Sequence, residues 1–144
     1  MRSPVYEFQA QFLGKVMLNL ESATLRKFGQ IKEMTLEQYY QFREMPEYML
    51  FDTGSLACCF VCSDYKKIFP IQEFHDFPER LKEITFHQLR QYIHSLQRAE
   101  TYNSDWCPTL FQSIKVGAFG IVAKRLIDDE TLRSTDNILQ SDER

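Results

Sequence analysis

Alternation of apolar and polar side chains near the amino terminus is the feature that most constrains the fold. From Tyr6 to Leu20 every even-numbered position is aromatic, aliphatic, alanine or glycine, and most odd-numbered positions are polar. A period of two is typical of a strand with one buried face. Glycine inside such a pattern indicates a bend. We therefore predict one strand, or two strands bent at Gly14, over residues 5–20.

Two apolar runs on either side of a turn sequence predict a β-hairpin. The runs cover residues 48–51 and 56–62, and the turn is Asp52-Thr53-Gly54-Ser55. Aspartate at the start of a turn bonds the following backbone, and glycine supplies a positive φ. Weaker apolar runs at 28–32 and 66–71 are interpreted as further strands.

Capping boxes predict where two helices begin. Thr35-Leu36-Glu37-Gln38 and Thr85-Phe86-His87-Gln88 each place Gln three residues after Thr, so that each side chain can bond the other residue's backbone N–H. The first helix is expected to end before Pro46. Apolar residues at helical spacing extend the second to about Thr101, namely Phe86, Leu89, Ile93 and Leu96.

Proline and glycine delimit the remaining helices. We predict a short helix over 78–84, a helix from Pro108 that Gly117 ends, and a last helix from Phe119 to Ile127.

Strands followed by helices define the predicted fold class. It is α+β, with an antiparallel sheet from the N-terminal half packed against C-terminal helices. A chain of 144 residues suits one domain, which we place at residues 1–127. Residues 128–144 are predicted to form a polar, acidic and flexible tail.

Charge is distributed unevenly along the chain. The formal net charge is −3, which disfavours strong nucleic-acid binding. Residues 80–127 carry seven basic and three acidic side chains, whereas residues 128–144 carry two basic and six acidic ones. This asymmetry fits either an anion-binding face shielded by the tail or an ordinary solvated helix surface.

The hydropathy pattern indicates where in the cell the protein is expected. No apolar run approaches the roughly 20 residues of a membrane helix, and the amino terminus lacks the apolar core of an export signal. The sequence therefore predicts a cytoplasmic protein with no membrane partner.

Four cysteines raise the question of a metal site. Cys58, Cys59 and Cys62 lie in one run, and Cys59-x-x-Cys62 together with Cys107 could supply zinc ligands. A second ligand pair is missing, and apolar residues stand where a turn between ligands is expected. We interpret the cysteines as small core residues and predict neither metal nor cofactor. The histidines weighed as further ligands are His75, His87 and His94.

A short motif around Asp52 resembles the catalytic sequence of aspartic proteases. The residues are Phe51-Asp52-Thr53-Gly54-Ser55. The resemblance implies two aspartates sharing one proton, which a chain of this length would supply by dimerising. A member of that family also needs a glycine-bearing flap, and no glycine occurs between Gly54 and Gly117. The turn interpretation is therefore favoured.

The helix after Thr85 carries a second set of candidates. His87, Arg90 and His94 lie at i, i+3 and i+7, with Arg98 one turn beyond. Guanidinium and imidazole groups together suit phosphate binding or acid–base work on RNA. Arg90-x-x-x-His94 resembles the Arg–His motif of small helical ribonucleases. The alternative is a polar flank beside the apolar face of the helix.

Aromatic side chains near Pro108 are candidate binding residues. Tyr102 and Trp106 would anchor a protein partner if exposed. A Trp buried against the core is the alternative.

The C-terminal third resembles a bacterial family of small uncharacterised domains. The resemblance implies fold context and no activity. It is carried by Leu89-Arg90, Arg98-Ala99-Glu100, Leu110-Phe111 and Lys124-Arg125-Leu126, with Asp52-Thr53-Gly54 upstream.

These observations favour a non-enzymatic protein-binding or regulatory protein of the inhibitor or immunity kind. Small size, mild acidity and aromatic richness support it, because complementary charge speeds association with basic partners. An RNA- or nucleotide-acting protein using His87, Arg90, His94 and Arg98 is the alternative. A dimeric aspartic protease using Asp52 is a second alternative.

Overall fold

The computed structural model describes residues 9–61, 69–102 and 109–128. Within these ranges the chain forms seven α-helices and one 3-10 helix and contains no strand, so the predicted α+β fold is wrong. The α-helices are α1 (Ala10–Phe28), α2 (Leu36–Arg43), α3 (Pro46–Val61), α4 (Ile71–Asp76), α5 (Phe86–Tyr102), α6 (Thr109–Lys115) and α7 (Ala118–Asp128), and the 3-10 helix is Pro78–Lys82.

From Ala10 onward the alternating segment lies in the long helix α1, and two odd-numbered residues explain the error. Residues 5–8 of the predicted strand lie outside the described ranges. Leu13 and Met17 break the alternation, and both are buried, at 2% and 0% exposure. Phe12, which belongs to the alternating set, is 56% exposed. The buried positions recur every three or four residues, so a helical period fits the segment once odd positions are counted.

The predicted hairpin is the single helix α3. Asp52-Thr53-Gly54-Ser55 lies inside it, and the Ser55 hydroxyl donates to the carbonyl of Asp52 at 3.2 Å. Gly54 faces Leu13 of α1, where the two helices pack. Residues 69–71, the described part of the strand expected at 66–71, contain no strand, and α4 begins at Ile71. Residues 62–68 lie outside the described ranges.

Both predicted capping boxes are confirmed. In the first, Gln38 N–H donates to Thr35 Oγ1 at 3.2 Å and Thr35 N–H donates to Gln38 Oε1 at 2.9 Å. The corresponding bonds between Thr85 and Gln88 are 3.1 and 2.9 Å. Local side-chain chemistry thus fixes where α2 and α5 begin.

The predicted helices of the C-terminal half are confirmed as well. The 3-10 helix occupies 78–82, and α6 is followed by Gly117, whose φ of 89° is accessible to glycine without strain. α7 then runs from Ala118 to Asp128, so the first residue of the predicted acidic tail is helical. Residues 129–144 lie outside the described ranges.

The close pairing of α1 with α7 organises the bundle. Gly14 lies against α7 so closely that a Cβ there would stand 2.7 Å from the Ala123 carbonyl oxygen. α3 packs on α1 and also on α5, which in turn packs on α6. The 3-10 helix packs on α7, where the Arg125 guanidinium donates to the carbonyls of Leu81 and Ile84 at 3.2 and 2.5 Å.

Aromatic rings connect α2 and α3 to the rest of the core. Phe42 of α2 meets Phe28, Tyr48 and Phe111 edge-on, with centroid distances of 6.2, 5.1 and 6.2 Å. The contact with Tyr48 helps to bury one face of α3, which also packs on α1 and α5.

Candidate functional site

An exposed row of apolar side chains runs along α3. Met49, Leu50 and Leu56 are 54%, 56% and 39% exposed, and Thr53 between them is exposed too. Spacings of three, four and seven residues place all four on one helix face. We call Met49, Leu50, Thr53 and Leu56 the α3 stripe.

The stripe exists because α3 is apolar on two faces. The opposite face buries Tyr48, Phe51 and Ser55 in the core, where Phe51 meets the Phe119 ring at 5.2 Å. A helix that is apolar all round is normally buried on all sides. Large contiguous apolar patches on folded proteins are frequently contact sites for another molecule, which makes the α3 stripe the candidate site.

Acidic residues border the α3 stripe on both sides. Asp52 stands three residues after Met49 and four before Leu56, and Glu47 stands three before Leu50 on the other border. α3 contains no lysine or arginine. The stripe is therefore an apolar surface in an acidic setting.

An open groove adjoins the amino-terminal end of the stripe. It has a volume of about 420 Å³ and lies between the end of α1 and the start of α3. Its lining residues are Ala23, Arg26, Lys27, Met45, Pro46 and Glu47. Apolar contact surface thus continues past Met49 to Pro46, where the groove has a basic wall on the α1 side.

The His and Arg candidates of α5 do not share a solvent-open cleft. Arg90 and His94 are buried at 0% and 4% exposure, whereas His87 is half-buried and Arg98 is exposed. All four make polar or ring contacts. Enclosure of Arg90 and His94 in the bundle leaves neither side chain open to a substrate.

A buried hydrogen-bond chain that the sequence did not indicate joins α4, α5 and α6. The Tyr92 hydroxyl lies 2.9 Å from His75 Nε2 and 2.5 Å from Ser113 Oγ. His75 is 5% exposed, and Tyr92 and Ser113 are fully buried. The one sequence signal for this hydrogen-bond chain is that its members lie on the inward faces of amphipathic helices. A polar residue at such a position is usually interpreted as an interruption of the apolar spacing.

Burial shifts the pKa of two members of this hydrogen-bond chain, His75 and Tyr92. Desolvation lowers the pKa of His75, against a smaller opposing effect of Asp76. Desolvation raises the pKa of Tyr92 well above its usual value, against the smaller effect of its Ser113 bond. Neutral imidazole, phenol and hydroxyl groups enclosed in the core link three helices, and none of them is open to a substrate.

The basic segment does not form a single anion-binding face. Lys115 Nζ donates to the Gly29 carbonyl at 2.6 Å and so caps α1, and Arg125 is held on the 3-10 helix as described above. Arg80 and Lys82 pair with Glu73 and Glu79 at 3.5 and 2.7 Å. These basic side chains serve separate structural contacts.

The remaining candidate residues do not form a site in the described part of the chain. Asp52 is half-exposed within a helix, a backbone setting unlike the turn of the protease motif. Tyr102 ends α5, and nothing is described of its side chain, while Trp106, Cys62 and Cys107 lie outside the described ranges. Over the part of the chain that is described, no three His, Cys, Asp or Glu side chains gather in a way that could hold a metal ion.

Comparison of the chain with family models, curated proteins and solved structures finds no match. The resemblance of the C-terminal third to a bacterial domain family accordingly stays a prediction. Among the described helices, none combines the length and apolarity needed to cross a bilayer.

Proposed function

We propose that this protein is a non-enzymatic binding protein that docks on another protein through the α3 stripe. The observation that carries the proposal is the exposure of Met49, Leu50 and Leu56 on a helix whose opposite face is already buried in the core. Because the helix backbone that carries these side chains is already ordered, binding orders only the side chains themselves, which lowers the entropic cost of association.

The enzymatic alternatives lack such support. Arg90 and His94 are enclosed, and Asp52 lies on the border of the stripe within a helix. Asp52 instead fits the binding surface, where its carboxylate flanks apolar contacts as the polar rim of an interface does.

Comparative capture from native lysate tests the proposal. The wild-type protein is immobilised beside Met49→Gln/Leu50→Gln and beside Phe77→Gln, a control at another exposed apolar residue, 63% exposed. Phe77 precedes the 3-10 helix, whose main contacts are with α4 and α7 rather than with the stripe's helix. Circular dichroism spectra and thermal midpoints verify that all three are folded.

We expect one protein to be retained by the wild type and by Phe77→Gln, and to be lost with the double variant. Polar replacement removes the apolar area that binding buries. An identical set of retained proteins for all three forms would contradict the proposal.

A further inference from the structure

The two carboxylates beside the α3 stripe are available to a partner. Glu47 and Asp52 are half-exposed, and neither forms a salt bridge with a residue that the structure describes. The basic residue nearest in sequence, Arg43, lies over the rings of Tyr39 and Tyr48 at 5.9 and 5.7 Å. The basic wall of the groove lies beside Glu47 but forms no salt bridge with it, so both acidic borders of the stripe are positioned to meet cations from another molecule.

A second copy of this chain is a poor occupant. Two α3 helices packed antiparallel about a twofold axis would bring Asp52 and Glu47 of each protomer to the borders of the other stripe. Like charges brought together at the rim of an interface oppose association. The acidic borders therefore favour a partner of a different kind.

Anionic surfaces are disfavoured by the charges along α2 and α3, and the basic side chains near the stripe, Arg26 and Lys27, lie only at its groove end. Residues 33–61 carry five acidic side chains and one basic side chain. Helices that lie on anionic membranes, and surfaces that bind nucleic acid, carry lysine and arginine around their contact residues. The stripe has the opposite charge and fits a basic protein.

The shape of the stripe indicates the form of that protein segment. Met49 to Leu56 spans two helical turns, or about 10 Å along the axis. No strand edge is present in the described ranges to pair with an extended peptide, whereas a ridge of side chains three and four apart accepts another helix. The groove at Pro46 continues this surface.

We infer that the α3 stripe binds a basic amphipathic helix, with the apolar face of that helix on Met49, Leu50 and Leu56 and its lysines or arginines beside Glu47 and Asp52. The inference rests on the proposed function and specifies the chemistry of its partner. Complementary charges at the rim steer the encounter and set specificity.

Designed peptides test this chemistry. The first is an amphipathic helix of about 18 residues with leucines at i, i+4, i+7 and i+11 and lysines flanking them. A twin has glutamate in place of every lysine, and a third peptide keeps the lysines but has serine in place of the leucines. Fluorescence anisotropy measures binding to the full-length wild type, to Glu47→Lys/Asp52→Lys and to Met49→Gln/Leu50→Gln.

We expect the wild type to bind the lysine peptide roughly tenfold more tightly than the glutamate twin, with added salt narrowing the difference. The charge-inverted variant should reverse the preference. The serine peptide and the Met49→Gln/Leu50→Gln variant should show little binding.

Three results would overturn the inference, namely no binding of the lysine peptide, equal binding of both leucine peptides, or tighter binding of the glutamate twin. Each leaves the proposed function to be judged by the capture experiment, since a stripe-dependent partner of other chemistry would still be retained there.

Discussion

Tyr92 shows how a single residue can join elements that sequence patterns treat separately. Its hydroxyl lies between His75 on α4 and Ser113 on α6, and its ring also meets Phe69 edge-on at 6.0 Å. A buried polar group left without its partner costs more than the bond itself contributes, so the three side chains act as one unit.

Stability should depend on pH through His75. Its folded-state pKa is lowered by burial, so below pH 6.5, the ordinary value, the unfolded chain takes up a proton that the folded chain does not. The free energy of unfolding should therefore fall as the pH drops from 6.5 towards the folded pKa, and this site should have no influence at higher pH. Urea unfolding between pH 5 and 8, compared with His75→Gln, measures the effect.

Glutamine keeps a hydrogen-bonding group for Tyr92 but does not titrate. The His75→Gln variant should thus lose part of the pH dependence below 6.5, while contributions of other histidines cancel in the comparison. Equal slopes for the two proteins would show that His75 does not titrate differently on folding.

Helix starts were predictable because they depend on neighbouring residues. Thr35 and Thr85 bond glutamines three positions away, so nothing distant is needed to recognise them. The identities of α1 and α3 were not predictable in this way. Phe12 and the Asp52–Ser55 motif imitate a strand and a turn. Leu13 and Met17 carry a helical signal in α1 that the alternation hides, and packing of α1 on α7 and of α3 on α1 and α5 stabilises both helices.

Two glycines at helix crossings should respond oppositely to alanine. At Gly14 a Cβ would lie 2.7 Å from both the Ala123 oxygen and Ile127 Cγ1, so α1 and α7 must separate, at a cost of about 1–3 kcal/mol. At Gly54 the nearest atom is Leu13 Cδ1 at 3.4 Å, an ordinary contact, and alanine should add about 0.5–1 kcal/mol through helix propensity.

Thermal and urea unfolding of Gly14→Ala and Gly54→Ala measure this contrast. Each variant serves as the other's control, because both add one methyl group to a helix. Stabilisation by Gly14→Ala, or a large loss with Gly54→Ala, would show that the helix crossings differ from those described.

At the scale of the whole molecule, the composition indicated that the binding surface is negatively charged but not where on the fold it lies. The acidity of residues 33–61 can be read from the sequence. Which face of α3 remains outside depends on the positions of α1 and α5, since Phe51 and Leu50 are adjacent apolar residues with opposite fates, 2% and 56% exposed. Likewise, Arg90 and His94 lie on one helix face, and the spacing of apolar residues along α5 gives no sign that this face is buried. The surrounding helices enclose both side chains, which are 0% and 4% exposed.

Site-specific photo-cross-linking in the native host tests the central claim, that the α3 stripe is where another protein binds. The photoreactive residue p-benzoylphenylalanine is introduced in place of Leu50 and, in a second protein, in place of Phe77. Both positions are exposed, so neither replacement disturbs the core. We predict a discrete adduct of higher mass from position 50 and none from position 77. No adduct at position 50, or the same adducts from both positions, would contradict it.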